Sequence, residues 1–140
     1  MSALQMRSRY LADKVNTATP AQLVVMLYDR LEIDIERAIV AQDAAEPAMA
    51  AASLLHAQQV VTELLATLDV SAWTGAQNLA NLYGYLLGEL IAVRDPADPS
   101  RLRAVAKIVA DLGSAWRDAA EQLAGGEASN RLATAGAWVG

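Results

Sequence analysis

The chain predicts an all-α fold, an antiparallel up-down four-helix bundle with an N-terminal arm or short helix. Three observations lead there. Apolar residues recur at spacings of three and four through four separate segments, the period of a helix that buries one face. The segments are parted by short breaks, two of them built on proline at Ala45-Glu46-Pro47 and Asp95-Pro96-Ala97-Asp98-Pro99, and short connections make neighbouring helices antiparallel. No stretch alternates apolar and polar residues as a half-buried strand does. With 140 residues the chain is one domain by size, large enough to bury a core without disulfide or metal staples.

The elements follow in order. Residues 1–18 form the arm. Thr19 stands at an N-cap position, Pro20 at the first helical position where a missing N–H costs nothing, and Gln22 where it closes a capping box. A helix over about 20–44 follows, with Leu23, Leu27, Leu31, Ile35, Ala38 and Ile39 on its stripe and Asp29, Glu32, Asp34 and Glu36 facing away. Leu23 to Tyr28 is apolar right round the cylinder, so the bundle covers one side and the arm, or a partner, the other. A second helix over about 47–68 carries Leu54, Val61, Leu64, Leu65 and Leu68. Ser71 or Thr74 caps a third, over about 74–94, striped by Leu79, Leu82, Tyr83, Leu86, Leu87, Leu90 and Ile91. Asp98 caps a fourth over about 99–124, with Pro99 in its first turn and Leu102, Val105, Val109, Leu112, Trp116, Ala119 and Leu123 inward. Gly125-Gly126 ends it, leaving residues 125–140 as a small-residue tail that carries Trp138. Tyr83 and Trp116 are expected inside, their polar atoms reaching an edge.

Charge is distributed unevenly. The net charge is −5, yet no Lys or Arg occurs between Arg37 and Arg94, and from Ala48 to Gly88 the only formal charges are Glu63 and Asp69. Such a surface cannot neutralise phosphates, which argues against nucleic acid and anionic membrane as partners. Designed soluble surfaces carry about 25–35% charged residues, and interface cores are depleted of them. The stretch is therefore either covered by something or an Ala-rich surface kept soluble by Gln, Asn, Ser and Thr. No apolar run approaches the roughly 18 residues of a membrane span, no signal peptide is legible, and the absence of cysteine suits a reducing cytoplasm.

Catalytic constellations are missing from the pattern. There is no phosphate-binding glycine loop and no serine nucleophile elbow. A di-iron bundle needs Glu-x-x-His pairs, but the single histidine, His56, is preceded at that spacing by Ser53. No metal, no cofactor and no enzymatic activity are expected. His56 carries one alternative, a histidine phosphotransfer domain, since these are also four-helix bundles with an exposed mid-helix histidine. A transferred phosphoryl group needs positive charge nearby, and Gln59 and Val60, one turn on, supply none; a solvated histidine is the favoured reading. Gly84 and Gly88 lie one turn apart on the third predicted helix, opposite its stripe and on one face with Gln77 and Asn81. Two helix-interior glycines cost roughly 1 kcal/mol each relative to Ala, a cost that close approach of another helix would offset.

Tyr10, Val15, Thr17-Ala18-Thr19-Pro20, Leu23 and Met26-Leu27-Tyr28-Asp29 resemble the N-terminal signature of the flagellar export chaperone FliS family. That family shows a tyrosine arm, a Val-x-Thr-Ala-x-Pro approach and a Leu-x-x-Met-Leu-Tyr-Asp first helix. Leu64-Leu65, Leu68-Asp69, Asn78-Leu79, Leu82-Tyr83, Tyr85 and Trp116 extend the likeness over roughly residues 10–124. The resemblance implies a cytoplasmic chaperone that binds the C-terminal region of flagellin, prevents its premature polymerisation and assists its delivery to the flagellar type III export apparatus. It implies roles too. The arm with Tyr10 and Val15 shields an apolar surface until flagellin binds; Val24, Val25 and Tyr28 lie beneath it, with Leu23, Met26 and Leu27 nearer the core. Asn81, Gly84, Tyr85 and Gly88 line the flagellin groove. For each apolar residue in this set, plain core packing is the competing reading. The second hypothesis is a homo-oligomeric structural bundle that buries the same uncharged face against a second copy, as a weak dimer would.

Overall fold

The computed structural model describes residues 2–93 and 99–137, with every side chain among them except those of 13–17 and 126–137. Five helices are present, α1 (Ala3–Thr17), α2 (Pro20–Asp43), α3 (Pro47–Thr67), α4 (Ala76–Ala92) and α5 (Pro99–Ala137), and no strand occurs among the described residues. None of these helices is long and apolar enough to cross a membrane. The chain divides into two compact units, Met1–Met26 with Ser114–Gly140, and Leu27–Gly113.

In the first unit both helix starts are chemically closed. The Gln22 backbone N–H donates to Thr19 Oγ1 at 3.2 Å while the Thr19 N–H donates to Gln22 Oε1 at 2.9 Å, the expected reciprocal box. The arm repeats the device, with Gln5 N–H donating to Ser2 Oγ at 3.1 Å and Ser2 N–H to Gln5 Oε1 at 2.9 Å. The Ser2–Gln5 box, not read from the sequence, opens an arm that is a helix of 15 residues. At the other end of this unit α5 runs through Gly125 and Gly126 to Ala137, which corrects the expectation that the glycine pair ends it. Glycine weakens a helix but keeps its N–H, unlike proline, and Ala124, Glu127 and Ala128 flank the pair with residues of better helix propensity. Asp98 and Trp138 lie outside the described residues.

In Leu27–Gly113 the core is built from the predicted stripes. Leu31, Ile35 and Ala38 of α2, Leu54, Val61 and Leu64 of α3, Leu79, Tyr83, Leu86 and Leu90 of α4, and Leu102, Val105 and Val109 of α5 are all buried. Polar contacts fix how the helices meet. Tyr28 and Tyr83 share a hydroxyl hydrogen bond at 2.5 Å with ring centroids 6.4 Å apart, Gln42 Nε2 donates to the Val93 carbonyl at 2.9 Å, and Gln58 Nε2 to that of Leu90 at 3.4 Å. Arg103 reaches Asp43 at 3.1 Å.

Four details depart from expectation. Ile91 is exposed, because it falls at the edge of a stripe already filled by Leu86, Leu90 and Val93. The third predicted helix begins at Ala76 rather than near 74, with Gly75 as its N-cap and no side-chain cap. Ser71 is engaged instead with Asp69, donating its N–H at 3.0 Å and its hydroxyl at 2.6 Å to Oδ1, and these two bonds lower the Asp69 pKa. Asp34, expected to face away, is buried at 3% exposure. It sits three residues after Leu31 and four before Ala38, hence on the stripe itself.

The turn after α2 is a Schellman motif. Glu46 N–H donates to the Ala41 carbonyl at 2.8 Å and Ala45 N–H to that of Gln42 at 3.1 Å. The motif places Ala45 at φ 54°, in the left-handed region, which glycine occupies without a Cβ penalty. Ala45→Gly is expected to raise stability by about 1 kcal/mol, read as a higher urea midpoint at unchanged m-value.

The start of α5 is tied to α4 by Arg101, whose Nε and Nη2 donate to Glu89 at 2.7 and 2.8 Å. Those bonds hold the Glu89 carboxyl below its ordinary value. A depressed carboxyl pKa adds stability above the unfolded-state value, and the contribution is lost as pH falls through the folded one. Arg101→Gln should therefore flatten the acid side of the stability profile, with the two proteins converging once the carboxyl is protonated.

Candidate partner-binding face

Within Leu27–Gly113 the outward side of α4 is the most distinctive surface. Gln77, Asn78, Asn81, Gly84, Tyr85, Gly88, Ile91 and Ala92 are all exposed there and none carries a charge. Their spacing follows from helix geometry: the residues opposite Leu79, Tyr83, Leu86 and Leu90 share the outer face. Tyr85 is 54% exposed, while Gln77 Nε2 donates to Asn81 Oδ1 at 3.0 Å, one turn apart. A Cβ at either Gly84 or Gly88 would meet nothing within 4 Å. Among the described residues, close approach of another helix therefore does not explain the glycines. Gly88→Ala is expected to stabilise the isolated protein by about 1 kcal/mol, the helix-propensity difference, as a higher thermal midpoint reports.

The neighbouring helix continues this chemistry. Met49, Ala51, Ala52, Leu55, Gln59 and Thr62 of α3 are exposed and uncharged, and Gln58 bonded to Leu90 sets α3 beside α4. At the beginning of α3 a cavity of about 730 Å³ opens, lined by Gln42, Ala45, Glu46, Pro47, Ala50, Ala51, Ala52, Leu54 and Leu55. Sequence periodicity did not find it, because a hollow at a helix–turn–helix corner depends on where the Schellman turn sends the chain.

The sequence-predicted residues thus fall into separate places. Asn81, Gly84, Tyr85 and Gly88 stand together on α4. Tyr28 does not belong to an open surface: it is fully buried, its hydroxyl on Tyr83. In the other unit Val24 and Val25 are half-buried at the start of α2. Leu23, expected nearer the core, is exposed there. Tyr10 is 66% exposed, and Leu4, Met6 and Leu11 are exposed as well. Met6 and Tyr10 lie one turn apart on one side of α1, whereas Leu4 and Leu11 lie two turns apart on another; one helix cannot press both pairs onto the same patch. Val15 lies in α1, its side chain outside those described.

His56 is not a free solvated histidine. Its Nδ1 is hydrogen-bonded to the buried Asp34 Oδ2, and its Nε2 lies 3.2 Å from Arg30 Nη2. Among the described residues no group of three or more His, Cys, Asp or Glu is placed to hold a metal.

The uncharged face acquires a context from known proteins. The sequence profile of the family described as Flagellar protein FliS matches residues 2–123. The chain belongs to the FliS family. A FliS relative, the Flagellar secretion chaperone FliS of Bacillus subtilis (strain 168), is 30% identical over 110 residues, covering 79% of this chain and 82% of the relative. FliS is a family of chaperones rather than of enzymes, which fits a surface whose outstanding property is the absence of charge.

Proposed function

We propose that this FliS-family chain is a cytoplasmic export chaperone for flagellin, built as an antiparallel four-helix bundle with an N-terminal helical arm. In this reading the outer face of α4, with Asn81, Gly84, Tyr85 and Gly88, receives the flagellin C-terminal segment. That segment is held from polymerising and handed to the flagellar type III export apparatus. The observation that carries the reading is the run of exposed, uncharged residues along α4 in a chain whose family is one of flagellar secretion chaperones. An amphipathic or extended segment docks on such a face through apolar contact and backbone approach over the glycines. The arm residues Tyr10 and Val15, with Val24 and Val25, provide a second contact for the same ligand.

Isothermal calorimetry of the full chain against a peptide spanning the C-terminal region of flagellin from the same organism tests this. One-to-one binding with a large negative heat-capacity change is expected, the mark of coupled folding on an apolar surface. Silence at every temperature with both peptide and full-length flagellin would sink the reading. Concentration-dependent dimerisation in the same preparation would favour the self-associating bundle.

A further inference from the structure

Arg30, Asp34 and His56 take no part in the face described above, and their geometry assigns the histidine tautomer. A guanidinium has five N–H donors and no acceptor. In the contact between Arg30 Nη2 and His56 Nε2, 3.2 Å long, Nε2 must therefore accept. The ring proton then sits on Nδ1, which donates to Asp34 Oδ2. In this tautomer the Nε2 lone pair is turned to a cation and the Nδ1–H is held by the carboxylate of Asp34, a residue that is 3% exposed. The side chain remains 38% exposed.

Those are the requirements of a nitrogen nucleophile. The attacking atom carries a lone pair and no proton, the buried carboxylate stabilises the positive charge that the ring acquires, and a guanidinium stands where an incoming dianion needs one. Gln59 and Val60 lack the cation that a phosphoryl group requires, but α2 supplies it as Arg30, one turn before Asp34. We propose that His56 accepts a phosphoryl group on Nε2 from a low-molecular-weight acyl phosphate. The Nε2 lone pair attacks phosphorus and the P–N bond forms. The bond from phosphorus to the acyl oxygen breaks, and its electron pair leaves with the carboxylate. No proton changes hands, Nδ1–H stays on Asp34, and the Arg30 guanidinium passes from Nε2 to the phosphoryl oxygens.

Acetyl phosphate incubated with the full-length protein tests the proposal, with the product followed by mass spectrometry under neutral conditions and by phosphorus NMR. One acid-labile, alkali-stable phosphoryl group per chain is expected on His56 Nε2, formed at least about tenfold faster than on N-acetylhistidine. His56→Gln should remove it. Arg30→Gln, a change at an exposed position, should slow it about tenfold without altering the circular dichroism, and Arg30→Lys should recover part of the rate. A label on Nδ1, a rate no greater than that of N-acetylhistidine, or an Arg30→Gln protein as fast as the parent would each overturn the assignment.

Discussion

Gly84→Glu is expected to weaken binding of the flagellin C-terminal peptide at least about a hundredfold while the protein itself becomes no less stable. The two halves of that expectation have different causes. Glutamate is a better helix former than glycine, and nothing lies within 4 Å of the Cβ that the substitution adds, so the free chain gains or holds stability. In the complex the same carboxylate would be sealed under an apolar segment with no cation on the α4 face to meet it. Burying an unpaired charge costs several kcal/mol, and a hundredfold loss corresponds to only about 2.7 kcal/mol. Calorimetry on the variant, beside a urea titration, separates binding from folding. Unimpaired binding would remove α4 from the contact surface and leave the fold untouched.

His56→Ala carries the largest expected cost to folding among polar substitutions, about 2–3 kcal/mol. Asp34 is buried on the α2 stripe, and His56 is the hydrogen-bond donor from α3 that makes its burial tolerable. Removing the imidazole strands the carboxylate, whereas Asp34→Leu with His56→Ala removes both partners and should recover most of the loss. A double-mutant cycle by chemical denaturation measures the coupling, and strict additivity of the two single changes would mean that the pair does not act as a unit.

These two expectations also mark what sequence can and cannot disclose. The four stripes were legible because spacings of three and four select one face, and Leu31, Leu54, Leu86 and Val105 lie where they were placed. Thr19, Pro20 and Gln22 were legible because capping is local chemistry. Asp34 was misread because a charged residue is assigned outward by type, although its position on the repeat is inward. Its donor is 22 residues away on another helix, and no local rule pairs the two. A separation of 26 residues likewise hid Arg30 from His56. On the α4 face the residues themselves were legible, since everything off the stripe must point outward, but Tyr28 was not separable from them. Its partner Tyr83 is 55 residues on.

The reciprocal box at Thr19 and Gln22 bears on how the arm can be remodelled. At the start of α2 the Gln22 N–H is satisfied by the Thr19 hydroxyl and the Leu23 N–H, at 2.9 Å, by the Thr19 carbonyl. Among the described residues, no hydrogen bond in that turn comes from α1. Unwinding or swinging the arm would therefore leave the α2 ladder intact, and local opening would stop at Ala18 rather than propagate. Amide hydrogen exchange would then show two clocks on either side of a two-residue joint, with the arm free to follow a ligand at no cost to the helix behind it.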